Sequence, residues 1–144
     1  TLIKCVLPDK LECIEGSYAA DNAFEGTSLT GTVQLPEGLK YVSGFRRTNI
    51  TNIIFPSTLE EIGDSAFEEC QSLMCEILLP ESLKKIGQYA FRYSPISGNL
   101  VLPEGLEDIG NSALLIFSAP SLILFSAIFV IKSISLLDNT LQYE

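Results

Sequence analysis

One phrase recurs along the chain and limits it to folds built by stacking copies of a single unit. FPSTLEEIGDSAF begins at Phe55, and LPESLKKIGQYAF begins at Leu79. LPEGLEDIGNSAL follows from Leu102, and LPEGLKYVSGF from Leu35 keeps the front half. Charges and polar groups change between copies, whereas Pro, Leu, Ile, Gly and the Ala-Phe pair keep their places. Fixed apolar positions of this kind predict a core that is shared between neighbouring repeats.

Each repeat is predicted to contain one short strand that ends at its proline. The anchoring prolines recur at similar intervals along the chain: Pro8, Pro36, Pro56, Pro80 and Pro103. Before them, apolar residues alternate with the period of two that is typical of a strand: Cys5 and Leu7, Val33 and Leu35, Ile53 and Phe55, Ile77 and Leu79, Leu100 and Leu102. A proline at the end of a strand removes no hydrogen bond from the sheet interior. Gly63, Gly87 and Gly110 are predicted to form tight turns with positive φ.

The joint motif resembles the BspA-type leucine-rich repeat, whose unit of about 23 residues is common in cell-surface proteins of bacteria and some protists. LPESLKKIGQYAF and AFEECQSL carry the resemblance, which covers about residues 2–114, and LTGTVQLPEGL and ISGNLVLPEGL resemble a subtype. The predicted fold is a right-handed, β-rich leucine-rich-repeat solenoid of the α/β solenoid class. It has about five coils and one parallel strand per repeat. Between Ile14 and Phe45 the register is irregular, because IEGSYAADNAF is long and VSGFRRTNI is short.

The predicted solenoid covers residues 1–112, and an apolar run follows it. Residues 113–131, ALLIFSAPSLILFSAIFVI, are long enough to cross a bilayer as a helix and could anchor the chain in a membrane. Alternatively the run forms a buried helix or an enlarged repeat, because LLDNTLQYE from Leu136 aligns with LLPESLKKI. Residues 132–144 are then a degenerate repeat or a tail. The sequence leaves these interpretations open.

The composition argues against nucleic-acid binding and against catalysis. The net charge is −9, and no cluster of Lys and Arg is present to neutralise phosphates. The chain has no His, the most frequent general acid or base, and no phosphate loop or nucleophile motif. We therefore predict a binding module rather than an enzyme, with no catalytic residue, no metal and no cofactor. Adjacent carboxylates are predicted to lie on solvated repeat faces: Glu60-Glu61, Glu68-Glu69 and Glu107-Asp108.

The cysteines are too few and too scattered for a disulfide framework or a zinc site. They are predicted to be buried free thiols: Cys5, Cys13, Cys70 and Cys75. Separately, Asn49-Ile50-Thr51 forms an N-glycosylation sequon, which matters only in a eukaryotic secretory pathway.

One residue per predicted strand faces outward beside the proline, and these residues are the candidate binding site. We call this row the stripe: Val6, Gln34, Ile54, Leu78 and Val101. A second outward row, the border row, is polar: Lys4, Thr32, Asn52, Glu76 and Asn99. Strands stack about 4.8 Å apart, so the stripe forms a continuous apolar band with a polar border, as in protein-recognition surfaces. Alternatively, its β-branched residues only favour strand formation, or further chain covers it.

The resemblance implies a recognition or adhesion module on a cell-surface or secreted protein. Its partner would be a protein, for example a host or extracellular-matrix protein, and no nucleic acid is expected. The alternative is a spacer solenoid inside a larger protein, such as a cytoplasmic scaffold. The two are separated by whether the stripe stays exposed in the full-length protein.

Overall fold

Two sets of parallel strands build the fold, and each set stacks from one coil to the next. The computed structural model describes residues 7–15, 23–98 and 100–115, together with the backbone of Ile123–Leu124. Within them there is no helix, and the strands are β1 (Cys13–Ile14), β2 (Thr30–Gln34), β3 (Tyr41–Val42), β4 (Asn49–Ile54), β5 (Glu61–Ile62), β6 (Lys85–Ile86), β7 (Leu100–Val101), β8 (Asp108–Ile109) and β9 (Ile123–Leu124).

The main sheet has five parallel strands in the order β1-β3-β5-β6-β8. Each strand contributes an outward residue and then an inward one. The register places the inward residues in a single buried ladder: Ile14, Val42, Ile62, Ile86 and Ile109. Five strands from successive coils mark four turns of the chain between the first and the last. The predicted leucine-rich-repeat solenoid of parallel strands is confirmed.

A second, interrupted set of strands lies on the segments that precede the prolines. β2 pairs in parallel with β4, and β7 pairs in parallel with β9. A bulge between Gly31 and Thr32 accommodates one extra residue of β4. The corresponding segment before Pro80 is not assigned as a strand, although Ile77 is buried and Leu78 is exposed as alternation requires.

The prediction of one strand per repeat therefore located only the interrupted set. The main sheet was missed because its strands are two residues long, and alternation needs about four residues to be recognised. Several coils consequently contribute two strands, one on each side of the proline turn.

The core consists of the repeated apolar positions, stacked coil on coil. The Leu that follows each proline turn is buried at Leu39, Leu59, Leu83 and Leu106. The Phe positions stack face to face through the solenoid. Successive ring centroids along Phe24, Phe45, Phe67 and Phe91 lie 4.8, 5.4 and 5.4 Å apart, with interplanar angles of 19°, 13° and 13°.

The short second repeat keeps its core aromatic by shortening one turn. Gly44 takes the position of Ala66, because Phe45 N donates to Ala66 O just as Phe67 N donates to Ala90 O. Its φ is +87°, which favours glycine. Phe45 is consequently fully buried in the Phe stack. The irregular register between Ile14 and Phe45 thus leaves the core continuous.

The prediction of positive φ at Gly63, Gly87 and Gly110 was wrong. These three glycines are not in the left-handed region; that conformation occurs in the same turns at Ser65, Tyr89 and Ser112. Glycine is required instead because neighbouring coils approach too closely for a Cβ. A Cβ on Gly87 would lie 2.5 Å from the backbone N of Asp64, and one on Gly110 would collide with the backbone of Gln88.

Gly87→Ala is expected to lower the free energy of unfolding by about 1–3 kcal/mol, because the neighbouring backbone must move. Gly105→Ala is the matched control, since its Cβ would lie 3.6 Å from Glu81 O, an ordinary contact. We expect the control to stay within about ±0.5 kcal/mol. Urea denaturation of both variants gives the comparison, and equal stabilities would contradict the close-approach explanation.

The apolar run at residues 113–131 is described only in part. β9 lies within it and pairs with β7, placing Leu100 opposite Ile123, one repeat further along the chain. Ala113 is buried against the coil before it, where Phe91 N donates to its carbonyl. Among the described residues, no helix has the length and apolar character needed to cross a membrane. Residues 116–122 and 125–144 lie outside the described part of the chain.

Candidate functional site

Four residues of the stripe project into solvent from successive coils. Ile54, Leu78 and Val101 are 45%, 76% and 58% exposed, and Gln34 is also exposed. β2 and β4 place Gln34 directly opposite Ile54. The fifth residue, Val6, lies outside the described residues. The described stripe is therefore one polar residue followed by three exposed apolar residues.

Inward neighbours hold the stripe residues in this orientation. Val33, Ile53 and Leu100 precede the stripe residues of their strands and are at most 4% exposed. Because alternate residues of an extended chain point to opposite faces, these buried side chains direct the stripe outward. The exposure of the stripe is a consequence of core packing one residue away.

The border row is polar wherever the structure describes it. Thr32 and Glu76 are exposed, and Asn52 is half-buried with its Oδ1 accepting from Ile53 N at 2.9 Å. Lys4 and Asn99 lie outside the described residues. The polar border is thus described in three coils.

Met74 is a further exposed apolar residue in the coil that carries Leu78, and the sequence did not single it out. It is 68% exposed and directly follows the buried Leu73. In the second, third and fifth repeats the residue after this core position is polar, at Thr30, Thr51 and Ser97, whereas the first repeat carries Ile3. Aligning that position across repeats would have found it. Met74 lies four residues before Leu78, with a bend at Cys75 between them.

The outward side of the main sheet differs, because its charges pair from coil to coil. Lys40 and Lys84 lie 3.7 and 3.4 Å from the carboxylate of Glu60, and Lys85 lies 3.0 Å from that of Glu61. Exposed pairs of this kind contribute little stability. They do neutralise one another, whereas Glu12, Glu107 and Asp108 on the same side form no ion pair among the described residues.

The expectation that Glu68 lies on a solvated face was wrong. Its side chain is 1% exposed and lies in a charge ladder formed by Glu25, Arg46, Glu68 and Arg92, one residue per coil, whose other members are half-buried. Glu68 Oε2 is 3.1 Å from Arg46 Nε, and Oε1 is 2.8 Å from Arg92 Nε. These contacts are ionic rather than aligned hydrogen bonds. The ladder is structural, since both flanking cations are already engaged.

The sequence matches the BspA type leucine rich repeat region over residues 1–116 and again over residues 41–142. The chain belongs to this family. No curated protein matches it. The repeat motif, the coil-to-coil pairing and the stacked Phe positions agree with that membership across the described coils.

The thiols of this BspA-type chain are free where the structure describes them. Cys13, Cys70 and Cys75 form no disulfide, and Cys5 lies outside the described residues. Cys70 is fully buried, whereas Cys13 and Cys75 are half-buried, so complete burial is confirmed at one of the three. Burial raises the pKa of the Cys70 thiol, which donates to Phe45 O at 3.1 Å. No group of potential metal ligands converges among the described residues.

A shallow polar hollow of about 320 Å³ lies on the main-sheet side of the repeats, lined by Asp64, Lys85, Gly87, Gln88, Asp108, Ile109, Gly110 and Asn111. Asp64 Oδ1 accepts from the backbone N of Gln88 at 2.8 Å, and Lys85 is paired with Glu61. Asp64 and Lys85 thus support the turns and the sheet surface.

The sequon at Asn49 lies at the start of β4. Asn49 and Thr51 are exposed and Ile50 between them is fully buried, so both sequon side chains face solvent. Whether it carries a glycan stays a prediction.

Proposed function

We propose that this chain is a non-enzymatic protein-recognition module that binds its partner through the stripe. Repeat solenoids use extended surfaces of stacked strands as binding surfaces, and leucine-rich-repeat modules generally bind proteins. The stripe is the part of this solenoid on which such a surface is apolar and exposed.

The observation that carries the proposal is the exposure of three apolar side chains in register. Single exposed apolar residues are normal on protein surfaces, but contiguous ones mark interaction sites. Ile54, Leu78 and Val101 occupy one slot of three successive coils. Fully burying such a side chain contributes about 1.5–3 kcal/mol, so covering all three would supply the centre of a specific interface.

We place the module on a cell-surface or secreted protein, as an adhesion or recognition element whose partner is a host or extracellular-matrix protein. The family resemblance supports this placement. The alternative is a spacer solenoid, including a cytoplasmic one, in which other chain covers the stripe. The two differ in whether the stripe is free to meet a second molecule.

We also propose that residues 113–131 continue the solenoid rather than anchor it in a membrane. The parallel pairing of β9 with β7, one repeat apart, supports this interpretation. The family match through residue 142 supports it as well.

Photo-crosslinking tests the stripe directly. A photoreactive residue at Val101 is expected to capture a partner from cell-surface extracts, whereas the same residue at Glu107, on the main-sheet side, is not. Adding Ile54→Asp with Leu78→Asp should reduce the Val101 crosslink at least about tenfold, because carboxylates cannot be buried unpaired. The free energy of unfolding, obtained from thermal melts, should change by no more than about ±0.5 kcal/mol, since these side chains are exposed.

Asn111→Asp is the control, since it adds a carboxylate to an exposed turn away from the stripe. Normal melting with an unchanged Val101 crosslink in the double variant would rule out the stripe as the binding site. Unfolding of the double variant would instead favour the spacer interpretation, because it would show that the stripe is covered.

A further inference from the structure

A row of carboxylates runs parallel to the stripe. The position three residues after each stripe residue, just past the proline, holds an exposed acid in four coils. In the remaining coil, the third, it holds Ser57. We call this the acidic row: Asp9, Glu37, Glu81 and Glu104. Glu81 and Glu104 each follow an apolar stripe residue, Leu78 and Val101, by three positions. Three residues span at most about 11 Å of backbone, which is roughly one Debye length.

These carboxylates are not neutralised by the protein. Asp9, Glu81 and Glu104, like Glu76 of the border row, form no ion pair among the described residues. Glu37 accepts from Ser57 Oγ at 3.0 Å, which leaves its charge intact. Leu78, the most exposed stripe residue, thus has Glu76 on one side and Glu81 on the other.

Most of the cations that could neutralise the acidic row are engaged elsewhere, and the exception, Lys10, follows Asp9. Within the described part of the chain, every cation except Lys10 belongs to an ion pair: Lys40, Arg46, Arg47, Lys84, Lys85 and Arg92. All of these pairs lie on the main sheet or in the turns around the Phe stack. The acidic row and Glu76 therefore keep their negative charge beside the stripe, as Glu12, Glu107 and Asp108 do on the main-sheet side.

We propose that the stripe binds a basic protein segment, in which apolar side chains that fill the stripe are flanked by Lys or Arg that reach the acidic row and Glu76. This inference rests on the proposed function and adds the chemistry of the partner. Complementary potentials raise association rates and suppress wrong partners, whereas like charges across an interface are costly. An acidic partner is therefore disfavoured. A second copy of this chain that binds through the same face is also disfavoured, because the acidic rows of the two copies would face each other.

Selection from a random peptide library tests the proposal without knowing the natural partner. Displayed peptides of about 10 residues reach ~33 Å when extended, more than the ~14 Å between the first and fourth described stripe residues. The immobilised chain is expected to enrich peptides in which Lys or Arg alternates with apolar residues. The Ile54→Asp, Leu78→Asp variant should not enrich them.

An enriched peptide is then synthesised with a fluorescent label. Fluorescence anisotropy of this peptide measures how much the carboxylates contribute to its binding affinity. Combining Glu76→Gln, Glu81→Gln and Glu104→Gln should weaken its binding about tenfold at low salt, because three exposed pairs are lost. The matched control removes three exposed acids from the main-sheet side, through Glu12→Gln, Glu107→Gln and Asp108→Asn. It changes the net charge equally and should weaken binding by less than about twofold.

The outcomes separate the two proposals. Peptides that depend on Ile54 and Leu78 but show no excess of Lys or Arg would overturn the basic-partner inference and leave the recognition function standing. Equal losses in the glutamate variant and its control would do the same, since only net charge would matter. An empty selection, or peptides that ignore the stripe substitutions, would overturn both. Concentration-dependent dimerisation abolished by the stripe variant would identify a second copy as the occupant and also overturn the inference.

Discussion

Phe67→Ala is expected to lower the free energy of unfolding by about 3–5 kcal/mol. Phe67 is fully buried, with its ring stacked 5.4 Å from those of Phe45 and Phe91 and edge-on to Phe55 at 5.8 Å. Removing it opens a cavity between two coils, and backbone hydrogen bonds on both sides limit collapse: Phe45 N donates to Ala66 O, and Phe67 N donates to Ala90 O. Urea denaturation followed by circular dichroism measures the loss.

Phe24→Ala is the matched control for this substitution. Its ring contacts Phe45 at 4.8 Å but is half-buried among the described residues. We expect it to cost clearly less than Phe67→Ala, because less buried contact is lost. A loss below about 1 kcal/mol at Phe67 would contradict the stacked core.

The repeated core was predictable because it depends on spacing alone. The Leu, Ile and Phe slots recur at fixed offsets, and the structure buries them at Leu59, Ile62 and Phe67 as it does in the next coil. The outward placement of Ile54, Leu78 and Val101 was predictable for the same reason, since strand alternation assigns each residue to a face. Their role in binding stays a proposal.

Features that depend on contact between coils were not predictable from one repeat. A close approach can require glycine without positive φ, and only the stacked backbones of Gly63, Gly87 and Gly110 distinguish the two cases. The charge ladder around the buried Glu68 could not be predicted from the sequence for a related reason. Arg46 aligns with Glu68 only when the shortened turn at Gly44 is recognised, which shifts the second repeat by two residues.

The acidic row could likewise not be recognised as a site from the sequence, because the ion-pair partners of a carboxylate come from the coils above and below it. Glu60 lies between a lysine of the coil before and one of the coil after, whereas Glu81 has no ion pair among the described residues. Charge pairing across coils therefore determines which carboxylates are neutralised and which keep their charge.

Glu68→Ala is expected to lower the free energy of unfolding by about 2–3 kcal/mol, because it leaves two guanidinium groups facing an emptied buried site. Removing one partner of a buried ion pair typically costs about 3–5 kcal/mol. The estimate is smaller here because the Arg46 and Arg92 side chains are 23% and 28% exposed and can be partly hydrated. Denaturation at low and high salt measures the loss.

The neighbouring residue supplies the control, since Glu69 is paired at 2.7 Å with the exposed Arg47 and lies only at 3.9 Å from Arg46 of the ladder. The Arg47 hydrogen bond holds the pKa of Glu69 below its ordinary value. The stability contributed by that pair is thus present above the unfolded-state pKa and is lost as pH falls through the folded-state pKa. We expect Glu69→Ala to have a much smaller effect that salt screens away. The Glu68→Ala loss should persist in salt, because its charges lie between coils. Equal, salt-sensitive losses at both residues would place Glu68 on the solvated face after all.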